Sequence, residues 1–160
     1  MRSLLRRFAP VIVAAAWAVG GCSSARPTAA RMDHTAFAPE LGVDLGASIR
    51  MPSGLYYRDL EPGTGAVASA GRSVTVVYSG ALSTGYVFDA TKPGEAPLAF
   101  RIGRGRPRPI AGFEQGMTGM RVGGRRQIVI PPELGYGRAG NDPVPPNAVL
   151  VFTVELLSVT

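Results

Sequence analysis

The chain has 160 residues, 46% of them hydrophobic, and 17 Lys and Arg against 11 Asp and Glu give a formal net charge of +6. That is too apolar and too weakly charged for a disordered chain, and its length fits one domain, with or without a tail. A single Cys excludes an intrachain disulfide framework and a cysteine-based zinc cluster, and a single His, His34, excludes a His-rich metal site and most Ser-His or Cys-His catalysis.

Residues 1–7 carry Arg2, Arg6 and Arg7 and no acid, and residues 8–21 are apolar with Pro10 as the only interruption. A positive n-region before an apolar stretch shorter than a spanning helix is the layout of a signal peptide. The stretch ends Ala18-Val19-Gly20-Gly21-Cys22. This resembles the lipobox of bacterial lipoproteins, in which cleavage leaves the Cys N-terminal and lipid-bearing; an ordinary signal peptide with an incidental Cys is the other reading. The lipobox prefers Leu where Val19 stands and Ala or Ser where Gly20 stands. The expectation is an exported protein, periplasmic or at the cell surface, anchored to a membrane through lipid on Cys22 or soluble without it. Loss of residues 1–21 leaves 139 residues and removes three arginines, so the charge falls to +3 and the case for a nucleic-acid partner weakens.

Residues 22–52 are rich in Ala, Pro, Ser, Thr and Gly and lack sustained periodicity, so they read as a flexible tether, with Phe37, Leu41 and Val43 as points that can dock. His34 falls here and reads as a solvated linker residue. Residues 53–160 form the domain. A strand over residues 55–60 runs into the turn Glu61-Pro62-Gly63-Thr64-Gly65. In residues 73–80, Val74, Val76 and Tyr78 share one face; Leu98, Phe100 and Ile102 alternate likewise. A strand over 126–130 stops at Pro131-Pro132, and the last, over 149–159, puts Leu150, Phe152, Val154 and Leu156 on one face. Residues 110–117 are the one helical candidate, with Ile110, Phe113 and Met117 as its apolar stripe, too short to stand without packing. With 21 Gly and 14 Pro, long helices are not expected. The reading is α+β: about five antiparallel strands and one short helix.

Several stretches now form a pattern. Val74-Thr75-Val76-Val77-Tyr78-Ser79-Gly80 with Gly85-Tyr86-Val87-Phe88-Asp89, then Ile110-Ala111-Gly112-Phe113-Glu114-Gln115-Gly116-Met117, then Ile130-Pro131-Pro132-Glu133-Leu134-Gly135-Tyr136-Gly137, and finally the run from Pro145-Pro146-Asn147-Ala148 to Leu157 stand in order over residues 53–160. Together they resemble the signature of FKBP-type peptidyl-prolyl cis-trans isomerases. The resemblance implies a strongly twisted antiparallel sheet curled around one short helix, and a non-covalent enzyme with no metal or cofactor. It implies proline-containing polypeptide clients, macrolide inhibitors as further ligands, and a monomer.

Residue by residue, the resemblance makes Tyr78, Phe88 and Asp89 pocket walls, with Asp89 orienting Tyr78. It makes the Ile110 N–H and the Tyr136 hydroxyl donors, Phe113 the floor where Trp is usual, and Val144 and Phe152 apolar rim and wall. Leu98 stands where an aromatic is common, and Pro109 restricts the chain at the pocket's edge. Residues 101–109 are more basic than the family's usual stretch, and read either as a solvated loop or as a patch for an anionic partner. Two rival functions remain: a non-catalytic peptide-binding or chaperone module using the same groove, and a structural envelope lipoprotein using the basic patch.

Overall fold

The structure, a computed structural model, describes residues 32, 34–104 and 108–160. The expected signal peptide, Cys22, the first part of the tether and residues 105–107 of the basic loop lie outside the described residues.

Alternating β-branched residues build the sheet. In chain order its strands are β1 (Ile49–Arg50), β2 (Tyr56–Glu61), β3 (Ser73–Leu82), β4 (Val87–Ala90), β5 (Leu98–Arg101), β6 (Arg125–Ile130) and β7 (Leu150–Val159), with helix α1 (Ala111–Met117) between β5 and β6. The order across the sheet is β1-β2-β6-β7-β3-β4, every pair antiparallel, and β5 also pairs with β3. β3 is thus shared: its first half meets β5 and its second half meets β4, so two short segments together make one edge.

Seven strands stand among the described residues where the sequence pointed to about five. The two extra ones are β1, of two residues and too short to show a period, and β4, whose Val87-Phe88-Asp89-Ala90 does not alternate apolar with polar. The helix starts one residue later than expected, because Ile110 is its extended N-cap.

The main core lies between α1 and one face of the sheet. Val74, Val76, Ile128, Ile130, Leu150, Val154 and Leu156 are buried there with Phe113 and Met117. Two helix glycines let α1 lie close to β6. A Cβ at Gly112 would collide with the Ile130 side chain, and one at Gly116 with that of Ile128.

The other face of the sheet is covered by the segment expected to be a tether. Phe37, Leu41, Val43 and Leu45 pack on Tyr56, Val129, Val149 and Val151, together with buried Met32. A turn of 3-10 helix at Pro39–Leu41 shapes this strap. The Gln127 side chain donates to the Leu41 carbonyl at 2.7 Å, Arg58 donates to that of Gly42 at 2.9 Å, and the Ala38 N–H donates to Ser83 at 2.8 Å. Residues 34–52 are therefore structured rather than a free tether, and their apolar residues are spaced to match an uncovered sheet face. His34 is exposed, as a solvated residue should be. No helix among the described residues is long and apolar enough to cross a membrane.

Candidate active site

Five elements meet at one end of the core and bring their aromatic residues into a single cluster. Tyr78 comes from β3, Phe88 from β4, Phe113 from α1, Phe152 from β7, and Tyr136 from the loop after β6. Phe113 packs edge-on against Phe152 at 5.1 Å between centroids and against Tyr78 at 5.6 Å. Phe88 meets Phe152 at 5.7 Å and Tyr136 at 6.3 Å, again edge to face. Such T-shaped contacts match the positive ring edge to the negative face and hold the rings at defined angles.

Sheet register explains the convergence. Gly80 lies opposite both Phe152 and Asp89, on its two neighbouring strands. A Cβ on Gly80 would stand 2.6 Å from the Phe152 ring and 3.0 Å from the Phe88 ring, so both rings cross the strand only because no side chain is there. Tyr136 is held by the turn before it. The N–H groups of Gly135 and Gly137 both donate to the Pro132 carbonyl, at 3.1 and 2.9 Å.

Between these residues is a cavity of about 150 Å³ lined by Tyr78, Asp89, Leu98, Arg108, Pro109, Ile110, Phe113, Tyr136 and Phe152. The Tyr78 hydroxyl donates to Asp89 Oδ2 at 2.7 Å, which fixes the ring in the wall. Burial, and then the hydrogen bond to Asp89, push the Tyr78 phenol well above its ordinary range. Burial, followed by the negative charge of Asp89, also raises Tyr136, and a contact from the Asn141 side chain pulls the other way. Both phenols therefore keep their protons, and their capacity to donate, throughout the neutral range. The Ile110 carbonyl accepts from Phe113 and Glu114 in the first turn of α1, while among the described residues its N–H has no protein acceptor. No group of three His, Cys, Asp or Glu that could hold a metal occurs among the described residues.

Of the ten pocket residues expected from sequence, eight line the cavity. Phe88 stands behind them, buttressing Phe152 and Tyr136. Val144 is a correction: expected at the rim, it is 4% exposed and belongs to the main core. Asn141 and Val144 exchange two backbone hydrogen bonds, at 2.6 and 2.9 Å, and this tight turn tucks the valine inward. Sequence reasoning missed two contributors, Gly80 and Arg108. Gly80 was visible as the last residue of the first motif. Arg108 was visible only as part of a basic run. A larger groove of about 550 Å³ lies on the strap side of the sheet, but its walls mix charged and polar residues such as Arg58, Arg125, Gln127 and Glu155 with aliphatic ones such as Leu60 and Val151, and Tyr78 is its only contributor from the aromatic cluster.

The family model for FKBP-type peptidyl-prolyl cis-trans isomerases matches residues 65–157, a span holding every residue of that cavity. The chain belongs to this family. It is 43% identical over 111 residues to an FK506-binding protein of Streptomyces anulatus, covering 68% of this chain and 88% of that one. Over 107 residues it is 42% identical to an FK506-binding protein of Neisseria meningitidis, covering 66% of this chain and 96% of that one. Other relatives are longer: the chain spans 29% of FK506-binding protein 4 of Dictyostelium discoideum, at 44% identity over 69% of its own length. Among solved structures, FkpA from Escherichia coli matches at a TM-score of 0.64 and 40% identity, over 71% of this chain and 52% of that one. The FKBP fold expected from the motifs is thus the fold observed, with its sheet curled on one short helix.

Proposed function

We propose that this chain is an exported peptidyl-prolyl cis-trans isomerase that turns X-Pro bonds in client polypeptides by a non-covalent route. One observation carries the reading: an aromatic cavity of about 150 Å³ with Tyr136 and Ile110 among its lining residues. Amide resonance sets a rotation barrier of about 18–20 kcal/mol, and cis and trans are both populated before proline. Rotation destroys the resonance and leaves a less polar amide. A pocket walled by Phe113, Phe152, Leu98 and Tyr78 offers an apolar surrounding in which that state costs less than it does in water. The Ile110 N–H, without a protein acceptor among the described residues, would hold a client carbonyl, and the Tyr136 hydroxyl adds a second donor that matches the twisted geometry. Lowering the barrier by about 4 kcal/mol gives roughly a thousandfold acceleration.

Further support comes from the Tyr78–Asp89 hydrogen bond, which holds the wall in shape. The same cavity suits macrolides of the FK506 type, after which the relatives are named. The signal-like residues 1–21 and the Cys that follows them support export and a lipid anchor on Cys22, with the domain acting as a monomer. The mass of the mature N-terminus checks the anchor: a lipid-bearing Cys22 is expected, and an unmodified one leaves the protein soluble outside the cytoplasm.

Isomerisation of a proline tetrapeptide by the full chain tests the function. A large acceleration over buffer is expected, reduced several-fold to tenfold by Tyr136→Phe without loss of fold. Rates equal to buffer with peptide binding retained would instead favour a non-catalytic binding module.

A further inference from the structure

Arg108 stands in the cavity wall, yet the rotation chemistry makes no use of a cation. Among the described lining residues it is the one cation, and Asp89, whose carboxylate holds the Tyr78 hydroxyl, is the one anion. Two features fix its place. Arg108 precedes Pro109, which keeps its backbone extended and out of the helical region. Its Nε lies 3.8 Å from Oε1 of Glu114 on α1, and this is its one polar contact among the described residues.

The pair is unequal. The Glu114 side chain is 10% exposed and that of Arg108 is 65% exposed. Oε1 of Glu114 is buried without a hydrogen bond. A buried carboxylate in that state holds the nearest cation strongly, because separation would leave it unpaired. Glu114 therefore holds the guanidinium on its Nε side, and the 65% exposure of the Arg108 side chain leaves the rest of the fork accessible to solvent. That part of the fork has the geometry to take a second carboxylate through two parallel N–H groups.

We propose that Arg108 is a specificity-determining residue that favours client prolines flanked by Asp or Glu, with the flanking carboxylate on the outer edge of its guanidinium. The proposal rests on the isomerase reading of the cavity. With the proline ring against the aromatic walls, its neighbours in the client cross the rim, where Arg108 attracts an acid and Asp89 repels one. The two opposite charges also set the direction in which an acidic client lies across the pocket. Because the pair forms at an exposed rim, the preference is moderate, roughly two- to fivefold, and weakens with salt.

The test uses the full chain and two sets of proline tetrapeptides, one varied only at the residue before the proline and the other only at the residue after it, with Glu, Gln or Lys at the varied position. Both kcat/KM for isomerisation and Kd are measured. In at least one set Glu is expected to exceed Gln by about two- to fivefold and Lys to fall below Gln. Arg108→Gln brings the Glu-to-Gln ratio to about one, Arg108→Lys keeps part of it, and raised salt reduces it. A ratio near one in both sets for the native chain, or a ratio that survives Arg108→Gln, overturns the proposal. Isomerisation without an acidic preference sinks the selection alone; an Arg108-dependent preference in Kd without any isomerisation upholds it and sinks the enzymatic reading.

Discussion

Gly80 shows how one missing side chain can shape a site. It sits inside β3, two residues before its end, where glycine weakens a strand, yet Phe88 and Phe152 occupy the space a methyl group would take. Tyr78, two residues earlier, places its hydroxyl on Asp89 instead of in the core. That contact has a pH signature. Burial first, and the hydrogen bond to Asp89 second, hold the folded phenol above its unfolded value of about 10. The folded state then binds the proton more tightly, so this stabilisation is complete below about pH 10 and is lost as the pH climbs further. Urea unfolding midpoints between neutral pH and the alkaline limit should fall above pH 10, and Tyr78→Phe should flatten part of the fall, with Tyr136 accounting for the remainder. Equal slopes in the two proteins would remove Tyr78 from the alkaline transition.

Helix α1 has little stability of its own at seven residues, two of them glycine. Tertiary contacts supply the rest. Gly112 and Gly116 allow close approach to β6, and Arg126 donates to the Gly116 and Thr118 carbonyls at 2.9 and 3.3 Å while its other edge is held by Asp59 at 2.6 and 3.0 Å. One buried guanidinium thus joins the helix end to β6 and β2. The strap over residues 34–48 is the other element whose stability is tertiary. Phe37, Leu41, Val43 and Leu45 are half-buried, which is worth about 1 kcal/mol each, and ordering the segment offsets part of that. Removing residues 1–48 is expected to cost about 2 kcal/mol in urea unfolding. It should also expose Val129, Val149 and Val151 and raise the tendency to self-associate in light scattering. An unchanged midpoint would mean that the strap only lies on the sheet without stabilising it.

In the molecule as a unit, β6 records the difference between what was legible and what was not. Its sequence reads as a strand stopped by Pro131-Pro132, and it is one. Its continuous burial from Arg126 to Ile130 has two separate causes: Ile128 and Ile130 face the helix, while Val129 faces a strap some ninety residues earlier in the chain. The long strands, the helix and the aromatic wall residues were readable because alternation and stripe are local patterns and the motifs stand in a set order. β1 and β4 were not, since β1 has two residues and Val87-Phe88-Asp89-Ala90 in β4 does not alternate apolar with polar, so both are strands only because a longer neighbour pairs with them. Local periodicity in the chain was enough to establish the five longer-patterned strands and the helix, and the ordered motifs, through their resemblance to a family, implied the kind of pocket these would enclose. The inward turn of Val144, the docked strap, the space over Gly80 and the place of Arg108 at the cavity mouth came from the folded arrangement alone, because each depends on which distant segment fills the neighbouring volume, and no short run of residues contains that information.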